Sequence, residues 1–292
     1  MQDEKQTIIV TDSTADLTPE EIKEYGIYVI PMNIHFGPES FKDDSPFSRQ
    51  RFFSKLGESL VRPTTSSPSI TEIREMYERV SRKADTIISI HISRKLSDTF
   101  RKAQQAAKRM LGRCHTHVID SEVTSVGLGI LVKYAARMAL RQEEPEEIIR
   151  TLRGMIDHIY VVFFVESLDY LEQGGRIGKA QALLGTMLNI KPMLILEEGE
   201  IEPLEKVRTR VRAIDKLAEF VAEFGHIESL TIMHNQSAEE ELKHLIDRLE
   251  AVRRGQVKVG IARYGPILAA HIGPDAVGIV VYEGLRDNPW DW

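Results

Sequence analysis

The chain has a single cysteine, Cys114, among 292 residues, so no internal disulfide framework can form, and a reducing cytoplasmic setting is expected. It also lacks a basic run: 38 basic against 44 acidic residues give a net charge of −6, which excludes the electrostatic footprint of a nucleic-acid binder. The longest apolar runs, 160–165 and 277–282, are far too short to cross a bilayer, so no stable membrane insertion is expected. No apolar segment follows Met1-Gln2-Asp3-Glu4-Lys5, and no signal peptide is expected. Several catalytic signatures are missing too: G-x-S-x-G, H-E-x-x-H, an EF-hand loop and the dinucleotide G-x-G-x-x-G. Without a His/Asp cluster at ligand spacing, no metal and no cofactor are expected.

An apolar fraction of 42% is that of an ordinary globular protein, and the length suits two domains, each with its own core. We place them at 1–158 and 159–292. In the first, β-branched runs at 7–11, 28–35, 86–92 and 117–119 alternate with helical stretches. Those stretches open at Thr18-Pro19-Glu20-Glu21, Ser69, Phe100, Ser125 and Pro145. Pro31 demotes 28–35 toward an edge, and 37–48 reads as a polar loop. Alternation of this kind implies right-handed crossovers and a Rossmann-like, mostly parallel sheet with flanking helices.

The second domain mixes its elements. Strands are expected at 160–165, 192–197, 200–203, 229–234 and 257–262, with helices at 167–172, 179–188, 209–224 and 238–251. The fold class is therefore α/β, an N-terminal parallel domain joined to a C-terminal α+β domain with a mixed or antiparallel sheet.

Four loops of the first domain share one character: 12–16, 64–69, 93–99 and 120–125 are all rich in Ser and Thr and all lead into helices. Three follow the carboxyl end of a strand, where open α/β sheets bind ligands. The 64–69 loop stands out. Ser69 and Glu72 form a capping box, and no Lys or Arg lies between Thr64 and Ile70. Hydroxyls and backbone N–H groups without a fixed cation suit a carboxylate better than a phosphate. Taken alone, the stretch also fits an ordinary helix cap.

Gly174-Gly175-Arg176-Ile177-Gly178-Lys179 resembles a phosphate loop, but its glycine spacing is one residue short and Ala180 stands where Ser or Thr would bind magnesium. Arg176 and Lys179 would sit at a helix start, where the dipole disfavours cations and an anionic partner is wanted. A tight turn with two solvated cations and a partner-docking patch both fit. His271, in A-A-H-I-G-P-D-A, is an isolated polar residue in apolar surroundings, able to be charged or neutral near pH 7. Asp12, Asp98 and Asp120 fit loop or cap positions.

Together these stretches carry a resemblance. V-T-D-S-T-A-D-L at 10–17, T-S-S-P-S at 65–69, S-R-K-L-S-D-T at 93–99 and V-I-D-S at 118–121 occur in order. They are followed by Y-L-E-Q-G-G-R-I-G-K-A at 170–180, L-N-I-K-P-M-L at 188–194 and H-I-G-P-D-A at 271–276. Over nearly its whole length the chain resembles the DegV family of bacterial fatty-acid-binding proteins.

The resemblance implies a two-domain protein that encloses one long-chain fatty acid between its domains. It is then not an enzyme itself but presents the carboxylate to an ATP-dependent fatty acid kinase subunit, which forms acyl phosphate for phospholipid metabolism. The carboxylate ligands it implies are Thr65, with Ser66 beside it, a serine of the 93–97 loop (Ser93 or Ser97) and His271. Arg176 and Lys179 fall in the region facing the kinase. The chain departs from the family pattern at Arg94, Lys95, Asp98 and Asp275, where serine or glycine is usual. Two other readings stand beside this one. One is a stand-alone phosphotransferase or hydrolase working from the hydroxyl-rich rim; the other is a lipid carrier without a kinase.

Overall fold

The computed structural model describes residues 6–285 except 60, 111, 113, 184–189, 238 and 254–256. The Trp290 and Trp292 tail, the end of the helix expected at 179–188 and the start of the one at 238–251 lie outside the described residues. The chain divides into two compact units, Met1–Ile156 and Asp157–Trp292.

In the first unit, β1 (Thr7–Asp12), β2 (Tyr28–Ile30), β6 (Thr86–His91) and β7 (His115–Asp120) form a four-stranded sheet in the order β2-β1-β6-β7. Every pair in it is parallel, as the alternation of strand and helix demands. Helices α3 (Ile70–Val80) and α4 (Thr99–Ala107) cover one face, packing Ile73, Tyr77, Val80, Ala103 and Ala106 against Ile8, Val10, Ile30 and Ile87. Helix α5 (Ser125–Leu140) is buried along most of its length and packs on β1, with α6 (Pro145–Ile156) beside it. Helix α1 (Pro19–Glu24) opens with the capping box that Thr18 and Glu21 announce.

Three expectations are corrected here. The run 28–35 is not one strand: at Pro31, which offers no ladder N–H, it breaks into β2 and β3 (Asn33–Phe36), which belong to different sheets. The polar stretch 37–48 contains β4 (Glu39–Lys42), and Thr64–Ser66 is itself a strand, β5. These form a small antiparallel sheet in the order β4-β3-β5, with Thr65 opposite Ile34. Helix α2 (Pro46–Glu58) lies between β4 and β5 in the chain.

The second unit is built on a six-stranded mixed sheet. It joins β8 (Ile159–Phe164), β9 (Lys191–Glu197), β10 (Glu200–Val207), β11 (Ser229–His234), β12 (Val259–Arg263) and β13 (Val277–Tyr282). Their order is β10-β9-β8-β13-β11-β12, and only the β11–β12 pair is parallel. The run 277–282, too short for a membrane, is thus an interior strand of this sheet. Helices α8 (Arg210–Ala222) and α9 (Glu239–Arg253) pack Ile214, Leu217, Val221, Leu245 and Leu249 onto Val162, Phe164, Ile232 and Ile279. Two short helices, α7 (Asp169–Gln173) and α10 (Pro266–Ile272), pack on each other, and a 3-10 turn, Gly178–Leu183, stands where a regular helix was expected. No helix among the described residues is long and apolar enough to cross a membrane. The fold class is the α/β arrangement read from the sequence.

Candidate functional site

The strand-end loops of the first unit are tied into one cluster. Asp12 ends β1 and caps the 3-10 turn Ser13–Ala15 through Thr14. Its other oxygen accepts from the backbone N–H of Ile92, 3.1 Å away, just before the 93–99 loop. Ser93 N–H donates to Val123 O at 3.0 Å, Arg94 N–H to Asp120 Oδ1 at 3.1 Å, and Ser125 Oγ to Asp16 Oδ2 at 2.7 Å. Three of the four Ser/Thr-rich loops therefore hold one another through side-chain caps and backbone bonds. Arg49 of α2 reinforces the first: its guanidinium reaches Asp43, Asp16 and the carbonyl of Ser13.

Ser93 is fully buried and Ser97 nearly so. Ser93 Oγ accepts from Lys95 N–H at 3.1 Å, and Ser97 Oγ shares a hydrogen bond with Thr99 Oγ1 at 2.9 Å. Thr99 Oγ1 also donates to Met32 Sδ at 3.4 Å, so the turn before α4 is fastened to the residue leading into β3. Thr65 lies partly buried in the middle of β5, while Ser66 is exposed and engages His35 Nε2 at 2.9 Å. The 64–69 segment is not free of cations in space. Lys102 of α4 donates to Ser67 Oγ at 2.7 Å, and Lys42 pairs with Glu72 at 2.6 Å. Both arrive from distant parts of the chain, which the local spacing could not reveal. Arg94 pairs with Asp120 at 3.3 Å and stays half exposed.

Sequence reasoning missed the most buried polar feature of this unit. Tyr77 O–H donates to Ser89 Oγ at 2.9 Å, Ser89 Oγ lies 2.8 Å from His91 Nε2, and His91 Nδ1 lies 2.9 Å from Asp12 Oδ2. All four residues are 0% exposed. The chain pairs a serine with a base: Ser89 and His91 stand two residues apart on β6, hence on one face of the strand. A nucleophile must meet its substrate, and Ser89 is 0% exposed with its hydroxyl engaged by Tyr77 and His91, so the arrangement is an internal polar chain rather than a hydrolytic centre. Burial raises the Tyr77 phenol well above its ordinary value, which keeps it protonated and a donor.

In the second unit, the candidate ligand His271 and the candidate partner residue Arg176 are neighbours. His271 sits in the last turn of α10 and packs on Gly174, and Arg176 Nη1 donates to the Gly174 carbonyl at 2.6 Å. Burial, reinforced by the Arg176 charge, pushes the His271 imidazole down to about 4, so it is neutral near pH 7 rather than poised to titrate there. The G-P-D-A run after it is fixed by Tyr264, whose hydroxyl donates to Gly273 O at 2.9 Å. Gly273 itself, at φ +82, leaves room for the Tyr170 ring, which a Cβ would approach to 3.1 Å. Lys179 finds its anion within the unit, pairing with Glu202 of β10. Among the described residues no group of three or more His, Cys, Asp or Glu is arranged to hold a metal ion.

Comparison with known proteins places these motifs. A family described as uncharacterised protein, DegV family, matches residues 6–284. The chain belongs to the DegV family. A DegV domain-containing protein of Caldanaerobacter subterraneus is 33% identical over 281 residues, covering 94% of this chain and 98% of that protein. A DegV family protein from Thermus thermophilus, whose structure is described as one of fatty acid binding, superposes with a TM-score of 0.85. It is 30% identical, and the match covers 96% of this chain and all of that one. Bacillus subtilis DegV, described as a fatty acid binding protein, gives a TM-score of 0.85 at 30% identity, over 95% of this chain and 99% of its own.

Proposed function

We propose that this DegV protein binds one long-chain fatty acid and, in the cytoplasm, presents its carboxylate to an ATP-dependent fatty acid kinase subunit for acyl-phosphate formation. The head group is held by Thr65, with Ser66 at its side, by Ser93 or Ser97, and by His271. Arg176 and Lys179 form the face that meets the kinase. The observation that carries this reading is the full-length match to two solved relatives, each described as binding fatty acid.

The chemistry of the residues supports it. A buried acyl chain gains about 0.8 kcal/mol per CH₂, so the tail supplies most of the affinity and the head group need only recover its desolvation. Hydroxyls and a neutral imidazole N–H do this without a tight ion pair, which leaves the carboxylate free to attack a phosphoryl donor. A hydrolase reading would need a serine open to substrate, and the serine with a base beside it, Ser89, is enclosed.

Mass spectrometry of organic extracts of the purified protein tests the lipid part, with a long-chain fatty acid expected at near one per chain. A delipidated protein that takes up no fatty acid would sink it. Adding a fatty acid kinase and ATP tests the second part. Acyl phosphate is expected with the parent protein and is lost with Arg176→Glu, while fatty acid retention persists. Acyl-phosphate formation unaffected by Arg176→Glu would place the kinase face elsewhere on the chain.

A further inference from the structure

The buried chain of side chains ends on a single carboxylate, and that carboxylate touches two loops at once. Asp12 Oδ1 accepts from Thr14 N–H and Thr14 Oγ1–H; Asp12 Oδ2 accepts from Ile92 N–H and faces His91 Nδ1. Because Tyr77 donates to Ser89, the Ser89 proton is left for His91 Nε2, and the remaining imidazole proton sits on Nδ1 and points at Asp12. Every proton in the run from Tyr77 to Asp12 then has one acceptor, and the polarity of the run is fixed. Four donors converge on two oxygens. An amide in that place would turn its NH₂ toward one pair of donors.

We propose that Asp12 is the positioning residue of the head-group site. Through Ile92 N–H it sets the start of the 93–97 turn, and through Thr14 it sets the turn of the 13–15 loop. The Tyr77–Ser89–His91 chain locks the carboxylate in the rotamer that does both. Ser93 N–H is bonded to Val123 O, and Leu96 and Ser97 N–H to Ser93 O, so a shift at Ile92 is passed to Ser93 and Ser97 and to the 120–125 loop. This rests on the fatty acid reading for its consequence, but not for the positioning itself.

The two parts are tested separately. Hydrogen exchange on the ligand-free full chain compares the parent with Asp12→Asn and with Thr14→Val, which removes a single donor and keeps the side-chain volume. The amides of Ser93, Leu96 and Ser97 are expected to exchange at least ten-fold faster in Asp12→Asn and about three-fold faster in Thr14→Val, with α6 unchanged. Equal rates in both variants and the parent overturn the positioning role whether or not the protein binds lipid. If Asp12→Asn fails to fold, Thr14→Val decides alone.

The second arm measures affinity for a fatty acid and for the alcohol of the same chain length. A merely structural role weakens both alike. A positioning role costs the acid about ten-fold in Asp12→Asn and the alcohol less than two-fold. Equal losses confine Asp12 to stability and overturn its part in the head-group site. A parent that binds neither compound overturns the fatty acid reading instead, while the exchange result still decides the anchor.

Discussion

His271 and Gly174 are in such close contact that a Cβ built on Gly174 would stand 2.2 Å from the imidazole Nδ1 and 2.9 Å from Cε1. The same Cβ would lie 3.0 Å from the Tyr170 carbonyl oxygen, so the backbone of α7 closes the other side. A glycine is required here for space. The first two glycines of the G-G-R-I-G-K run are thus explained without phosphate: one admits the histidine ring, and Gly175, at φ +65, turns the chain after α7.

Gly174→Ala should therefore displace the His271 ring or α7 and cost about 1–3 kcal/mol, the range for overpacking a filled site. A lower melting temperature together with weaker fatty acid retention is expected, because the ring that moves is the proposed carboxylate ligand. Thermal melts and lipid titration of the same preparation check both. Unchanged values for both would mean the ring relaxes freely and carries no head-group contact.

His271 also predicts a pH dependence. Its imidazole is held down to about 4 in the folded chain against 6.5 for an ordinary histidine. The unfolded state thus takes up the proton first as pH falls. The stabilisation is whole above about pH 6.5 and disappears between there and about pH 4, worth at most about 3 kcal/mol. His271→Gln cannot be protonated, so its stability should fall less between pH 7 and pH 4 than that of the parent. Denaturant titrations at the two pH values measure the difference, and parallel losses in the two proteins would contradict it.

How much of this could be read from the chain depended on burial. β1 and β6 are enclosed on both faces, so they appear as runs dominated by β-branched residues and are plain in the sequence. The same enclosure hides which face a residue uses, and so nothing in the run sets Ser89 and His91 apart as partners. Their link to Asp12 spans 79 residues and no spacing rule reaches it. β4 and β5 failed for the opposite reason. They are short, polar and largely exposed, and the side chains that tie them to β3, such as His35 with Ser40 and Ser66, meet across the sheet, so no local apolar alternation marks a strand. Lys102 beside Ser67 shows the same limit: the absence of a cation within 64–69 said nothing about one delivered by a helix packed next to it. The capping boxes at Thr18 and Ser69 were legible because they need only three-residue spacing.

The enclosed serine gives a test of the enzyme alternative. Ser89 is 0% exposed, and its hydroxyl is shared between Tyr77 and His91. A fluorophosphonate probe is expected to leave the native protein unlabelled. Ser89→Ala should cost about 1–3 kcal/mol of stability, since it leaves two buried polar partners unmatched. Labelling mapped to Ser89 in folded protein would reopen the hydrolase reading.

The head-group assignment is tested most directly at Thr65. Its backbone is set by pairing with Ile34 across the small sheet, and a side-chain change leaves that pairing available. Thr65→Val keeps the volume and the β-branch, both favourable in a strand, and deletes only the oxygen. If that hydroxyl donates to a buried carboxylate, its loss leaves an unmatched acceptor and weakens fatty acid binding by about 1–3 kcal/mol, or roughly 5- to 150-fold. His271→Ala should weaken binding by a similar factor, and because both groups serve one carboxylate, the double variant should lose less than the sum of the two. The alcohol of the same chain length should hardly sense Thr65→Val, since a neutral hydroxyl demands less of its partners. Affinities and melting temperatures measured together separate ligand loss from unfolding. Parent-like binding in both single variants would place the carboxylate elsewhere on the chain and leave Thr65 as an ordinary residue of an edge strand.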